Sequence, residues 1–309
     1  MKVIFFGSSS FSTIILEALI SEGIEVPLVV TKAPKEKGRG RKKTPTPVGV
    51  FARDLSLNLI ETDNPNSSWV ENMIKDTKVD TFVLASYGAI LKENIIKIAR
   101  YPLNIHPSLL PKYRGAAPVA RALMNGEKKT GFTIFLMNPE VDKGEIVMAK
   151  EVPIEPLEVR SELETRLFKE AREPILYILK EIERGVKLKT YLQNESEASY
   201  APKIKKEECK IDWREKAVLV EGKVRGLSYT PGAFCIFRGK SLKLLRAKSL
   251  EGYKNDFSPG EIIEAKRGII VKCGEGAIEV LELQLQGRNK MDAISFINGY
   301  HIKSGERLG

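Results

Sequence analysis

Two polar side chains interrupt an otherwise apolar strand: Asn104 and His106, in the segment NIHPSLLPKYRGAAPV at 104–119. Residues two apart on a β-strand project to the same face, so these groups sit roughly 6–7 Å apart along it. An amide can donate to an oxygen on which negative charge develops, and an imidazole moves protons near neutral pH. Together they suit acyl transfer. The strand breaks at Pro107, and two prolines with Gly115 make the following loop rigid and irregular. An imidazole in this role needs a carboxylate to hold it. The turn NPEVDKGE at 138–145 offers Glu140, Asp142 and Glu145. Asp142, ahead of Lys143 and Gly144, suits a tight turn that aims its carboxylate back into a cleft, but spacing alone leaves all three open.

Two further loops carry chemistry. SYGAIL at 86–91 follows an apolar strand at 81–85, at the same sheet edge as Asn104 and His106. An apolar loop there either walls a flat aromatic ligand or packs into the core. The run KAPKEKGRGRKK at 32–43 holds seven basic residues and one acidic residue. Its density of charge suits contact with a phosphate backbone, or else a solvated surface. The first strand-to-helix turn, GSSSF at 7–11, lacks the glycine spacing that lets a pyrophosphate approach the backbone, which disfavours a dinucleotide cofactor.

The elements that must position these residues alternate in type. Strands are expected at 2–6, 25–30, 81–85 and 103–106, with helices at 11–22, 48–56, 67–76 and 118–125 between and after them. A β pair is expected at 131–137 and 145–152, then one long amphipathic helix at 160–185. Residues 31–47 read as a loop. Strand–helix alternation implies a parallel sheet covered by helices. After residue 190 the pattern changes. TYLQNESEASYAPKIKKEE is polar and aperiodic and reads as a linker. A helix at 217–226, short strands at 232–237, 241–247, 261–265, 268–273 and 277–285, and a helix at 290–298 then imply a small barrel or sandwich. The domains are expected at 1–189 and 206–309, with a linker at 190–205.

Composition bounds the partners. The 309 residues include 50 Lys and Arg against 40 Asp and Glu, a net charge of +10, and residues 203–309 carry +7 of it. A basic chain favours polyanionic partners, because Lys and Arg displace counterions from phosphates. Three scattered cysteines and two histidines give neither a disulfide framework nor zinc-ligand spacing, so a reducing, cytoplasmic setting is expected. No apolar run reaches membrane-spanning length, and the N-terminal stretch reads as mature protein rather than a signal peptide.

With these residues in view, the chain resembles the methionyl-tRNA formyltransferase family over essentially its full length. The matching stretches are GRGRKKTPTPV at 38–48, SYGAIL at 86–91, LNIHPSLLPKYRGAAPV at 103–119, VDKGEI at 141–146, YAPKI at 200–204, IDW at 211–213 and LQGRNKM at 285–291. The resemblance implies an α/β fold: a Rossmann-like formyltransferase domain with a mostly parallel sheet, followed by a small OB-like β-barrel domain that binds tRNA. It implies transfer of a formyl group from 10-formyltetrahydrofolate to the amino group of initiator methionyl-tRNA, by a monomer, without a metal. It makes Asn104, His106 and Asp142 the catalytic trio. Ser108, Leu109, Leu110 and Pro111 become folate contacts, with Tyr87, Gly88 and Ile90 as pocket wall. Arg39, Arg41, Lys42 and Lys43 become the loop that grips the tRNA acceptor stem. The chain departs from the family pattern at Gly7-Ser8-Ser9 in the first turn, at Pro107 after the histidine, at Glu145 and at Tyr229; none of these is a member of the trio.

Overall fold

The computed structural model describes residues 1–37, 42–250, 252 and 256–309. Its contacts divide the chain into two compact units, each built around its own core.

The first unit comprises residues 1–116, 131–152 and 164–200. Among the described residues its main sheet has seven strands: β1 (Lys2–Gly7), β2 (Glu25–Thr31), β5 (Leu59–Glu61), β6 (Thr81–Ala85), β7 (Tyr101–His106), β8 (Lys129–Leu136) and β9 (Ile146–Pro153), in the order β5-β2-β1-β6-β7-β8-β9. Strands β5 through β7 run parallel and β8 returns antiparallel to β7. The central strands are continuous apolar runs because both their faces are covered. Val3 and Phe5 face a core shared with helices α1 (Ser10–Ser21) and α2 (Pro47–Asp54), whereas Ile4 and Phe6 face a second core with α3 (Ser68–Asp76) and α4 (Glu93–Ile96). The turn before α1 closes on itself. The Ser9 hydroxyl accepts from the Phe11 and Ser12 amides, the Ser12 hydroxyl accepts from Ser8 and Ser9, and it donates to the Ala85 carbonyl at the end of β6 at 2.6 Å. Ser9 thus caps the helix and Ser12, one residue beyond the GSSSF turn, ties it to the sheet.

Three local expectations differ from what forms. The segment expected to be one helix over 160–185 is two, α6 (Arg160–Glu170) and α7 (Arg172–Glu183), broken at Ala171. Pro174 explains the break: it has no N–H to return to Glu170 and is tolerated only in the first turn of a new helix. The loop at 31–47 contains a small antiparallel hairpin, β3 (Lys35–Lys37) with β4 (Lys42–Thr44). Its residues are Lys, Glu and Thr, with no apolar alternation, so no periodicity announces it. The expected linker, finally, is bonded to the first unit as far as residue 200. Ile146 and Tyr191 exchange backbone hydrogen bonds at 2.9 Å, and Ser199 meets Pro111, Tyr113 and Arg114.

The second unit comprises residues 117–130, 153–163 and 201–309. It is a small antiparallel, barrel-like sheet of β10 (Ala233–Phe237), β11 (Lys240–Leu250), β12 (Ile262–Ala265), β13 (Ile269–Lys272) and β14 (Ala277–Leu285), in the order β10-β11-β14-β13-β12, with β15 (Met291–Asp292) on β14. Its core holds Leu244, Val271, Ile278 and Val280 under helices α8 (Ala217–Leu227) and α9 (Ala293–Tyr300). Helix α5 (Pro118–Met124) packs on α8, where the absent side chains of Gly222 and Gly226 let the backbone of α5 approach. No helix among the described residues is long and apolar enough to cross a membrane.

One ion pair anchors the entry to this unit. Arg121 on α5 grips Glu208 with two donors, at 2.6 and 3.1 Å, and this holds the Glu208 carboxyl well below its ordinary 4.5, at about 2. A carboxylate depressed by folding adds stability above its unfolded pKa and loses it as pH falls through the folded one. Wild-type protein is therefore expected to melt higher than Glu208→Gln at neutral pH. The gap should close as pH falls from about 4.5 towards 2, and thermal unfolding across that range checks it.

Candidate active site

Strand β7 ends at the carboxyl edge of the parallel sheet, where open α/β folds place their ligands. Asn104 pairs there with Leu84 on β6 and Phe135 on β8, so it projects between two apolar neighbours. Its side chain is half-buried and makes no hydrogen bond to any described residue. The amide opens into a cleft of about 100 Å³ that also takes in Leu91, Ile96, Phe135, Met137 and Asp142. Apolar side chains on part of the lining, with Asn104, Asn138, Glu140 and Asp142 on the rest, suit a flat ring with a polar edge.

His106 lies behind that cleft, 5% exposed. Its Nε2 donates to the Tyr113 carbonyl at 2.9 Å, an acceptor-only partner that fixes the proton on that nitrogen. Nδ1 then faces Asp142, 3.6 Å from Oδ2. That separation exceeds a hydrogen bond, so Nδ1 is near the carboxylate without being tied to it.

The turn from residue 138 to 145 settles which carboxylate reaches the imidazole. Asp142 is in the left-handed region at φ 54°, which turns its carboxylate inward, and Oδ2 accepts from the Gly115 amide at 2.7 Å. Glu140 instead pairs with Lys143 at 2.6 Å and Glu145 is bonded to Thr190. Gly144 has no alternative at its place: a Cβ there would fall 1.6 Å from the Leu136 carbonyl oxygen.

The other expected residues are placed differently. Ile90 lines the cleft, but Tyr87 is 1% exposed and packs edge-on against Phe6 in the core, with Gly88 beside Lys32. Ser108, Leu109, Leu110 and Pro111 form a tightly bonded turn. Thr133 donates to the Ser108 carbonyl at 2.7 Å and accepts from the Leu110 amide at 3.0 Å, while the Ser108 hydroxyl meets the Lys112 carbonyl at 2.7 Å. This turn carries the loop back past His106 so that the Tyr113 carbonyl can reach it and the Gly115 amide can reach Asp142. Arg39 and Arg41 fall outside the described residues; Lys42 and Lys43 lie on β4.

Several residues of the site were not legible in advance. Arg114 is 1% exposed and buries its guanidinium against Gln193 (3.0 and 2.7 Å) and Glu195 (3.0 and 2.7 Å). The hydrogen-bonded Glu195 holds Arg114 above its usual range and is itself held below the usual carboxylate range by Arg114. An arginine inside a proline-rich apolar loop was the one available signal, since a buried guanidinium demands partners. The partners lie about eighty residues away in sequence, where no local pattern points to them.

Comparison with known proteins agrees with this geometry. Residues 1–179 match the model of the formyl transferase family and residues 203–301 that of the formyl transferase C-terminal domain. The methionyl-tRNA formyltransferase of Dictyoglomus thermophilum is 42% identical over 314 residues, covering all of both chains. That of Thermotoga neapolitana is 39% identical, covering all of this chain and 98% of the relative. Among solved structures, WlaRD, a sugar 3N-formyl transferase crystallised with dTDP and 5-N-formyl-THF, superposes with a TM-score of 0.67 at 17% identity, over 94% of this chain and 99% of that one. The fold and site thus define a formyl transferase. Within that class, the chain belongs to the methionyl-tRNA formyltransferase family.

Because Gly144 cannot carry a side chain without moving Leu136 or the turn, Gly144→Ala is expected to displace Asp142. A misplacement of about 1 Å costs about 10²-fold in rate; turnover beside thermal unfolding checks it, with unchanged turnover counting against the turn's role.

Proposed function

We propose that the chain transfers the formyl group of 10-formyltetrahydrofolate to the α-amino group of initiator methionyl-tRNA, in the cytoplasm and as a monomer. The observation that carries the reading is that Asn104 and Asp142 line one cleft while His106 lies behind it, 3.6 Å from Asp142, in a chain whose full length aligns with methionyl-tRNA formyltransferases. The apolar walls of that cleft fit the fused ring of a folate, and Asn104 lies where its formyl group would be presented.

An amine is already a nucleophile, so its attack on the formyl carbon needs neither an acyl-enzyme nor a metal. The C–N bond forms as the carbonyl electrons move onto oxygen. Asn104 donates to that oxyanion. His106 supports it once Nδ1, the lone-pair nitrogen that Tyr113 leaves available, has taken up the proton the amine loses and can donate; such contacts tighten only when substrate is present. Asp142 orients the imidazole and helps carry away the proton lost by the amine. Collapse of the intermediate expels the folate nitrogen, which takes up a proton.

The basic run at 32–43, including Arg39, Arg41, Lys42 and Lys43, would hold the acceptor stem, with residues 206–309 as the second tRNA-binding surface. Ser108, Leu109, Leu110 and Pro111 would serve the folate by shaping the loop, and Tyr87, Gly88 and Ile90 by backing the pocket. A sugar amine is the rival acceptor, since a sugar formyl transferase shares the fold; the basic loop and the +7 charge of residues 203–309 favour tRNA.

Incubation with charged methionyl-tRNA and the formyl donor should release formylmethionine on hydrolysis, by mass analysis, and an amino sugar in place of the tRNA should stay unmodified. Asn104→Ala is expected to lower kcat by about 10²–10³ with the fold intact; near-normal turnover in both Asn104→Ala and His106→Ala would end the assignment. Lys43→Ala should weaken tRNA binding and reduce the salt slope of its logarithm by about one, measured by binding across a salt series.

A further inference from the structure

One side chain from the segment expected to be a linker bonds the backbone of the turn that carries Asp142. The Gln193 amide nitrogen donates to the Asp142 carbonyl and to the Gly144 carbonyl, each at 2.8 Å. Its oxygen accepts from Nε and Nη2 of Arg114 at 3.0 and 2.7 Å. Every hydrogen-bonding position of the amide is used, and its orientation is decided by its surroundings. The guanidinium offers only donors and the two carbonyls only acceptors, so the reversed amide would face like with like. Arg114 is in turn fixed by the two oxygens of Glu195. The chain of contacts therefore runs from Glu195 through Arg114 and Gln193 to the carbonyls of Asp142 and Gly144, while the Asp142 carboxylate meets Gly115, the residue next to Arg114. Asp142 needs such support, because it occupies the left-handed backbone region and no residue of its own turn fixes its carbonyl.

We propose that Gln193 is a positioning residue for the reaction: it holds the Asp142 turn so that the carboxylate stays at His106, while touching no substrate itself. The proposal rests on the reading of Asp142 as part of the reacting centre. It gives the polar 190–200 segment a function beyond connection, since that segment completes the active site from outside the β7 and β8 strands that form it.

Gln193→Glu separates positioning from plain stability. The carboxylate keeps, and strengthens, the contact with Arg114, but it puts acceptors against the two carbonyls and so releases the turn. Gln193→Met removes both sets of bonds at similar size and serves if the glutamate variant does not fold. Both are compared with Asp142→Asn and with each double variant, using full-length protein, single-turnover rates, KM for both substrates and thermal unfolding.

The expected result is a fall in kcat of about 10- to 100-fold for Gln193→Glu, unchanged KM for donor and charged tRNA, and a near-native melting temperature. In the Asp142→Asn background the same change should cost nothing further, because residues that act through one another are not additive. Wild-type kcat in Gln193→Glu, or an equal fractional loss with and without Asp142, overturns the proposal. Wild-type turnover in Asp142→Asn itself would instead bring down the site reading, and the proposal with it.

Discussion

Burying the guanidinium of Arg114 is the constraint on which the catalytic edge depends. A charge taken out of water must be met by hydrogen-bond acceptors of good geometry, or the loop that holds it does not close. Gln193 and Glu195 meet it, and in doing so they fix the segment at 190–200 against the loop after β7. The same loop supplies the Tyr113 carbonyl to His106 and the Gly115 amide to Asp142. A cost in desolvation at one residue is thereby turned into order at three others.

The division of labour at the site follows from exposure. Asn104 faces the cleft with its amide uncommitted, as its proposed contact with a ligand requires. His106 is enclosed and engaged at Nε2, which leaves Nδ1 for the role proposed for it. A group that must donate to a transient oxyanion is best left without a ground-state partner to give up, whereas a group that must keep one orientation is best bonded. The apolar side chains around them lower the local dielectric and strengthen both effects.

The fold supports this by leaving the chemistry at strand ends. Both faces of the central sheet are covered, by α1 and α2 on one side and α3 and α4 on the other, so the edge where β6 and β7 terminate is where polar side chains meet a cavity. The second unit is separate in its core and different in its hydrogen bonding, an antiparallel sheet closed by α8 and α9. Its basic composition suits a polyanionic partner.

The alternation of strand and helix, the apolar centre of the sheet, the pairing of Asn104 with His106 and the basic run at 32–43 were all written in local pattern, because each depends on residues within a turn or two of one another. The break at Ala171 was also there to be read in Pro174. What the chain's order did not contain was which of Glu140, Asp142 and Glu145 reaches the imidazole, that Tyr87 belongs to the core, or that Gln193 belongs to the site. Those outcomes are decided by backbone direction at a left-handed residue and by contacts that span from about 27 to about 80 positions. Side-chain periodicity carries no record of either, since only the folded sheet brings such positions within hydrogen-bonding reach.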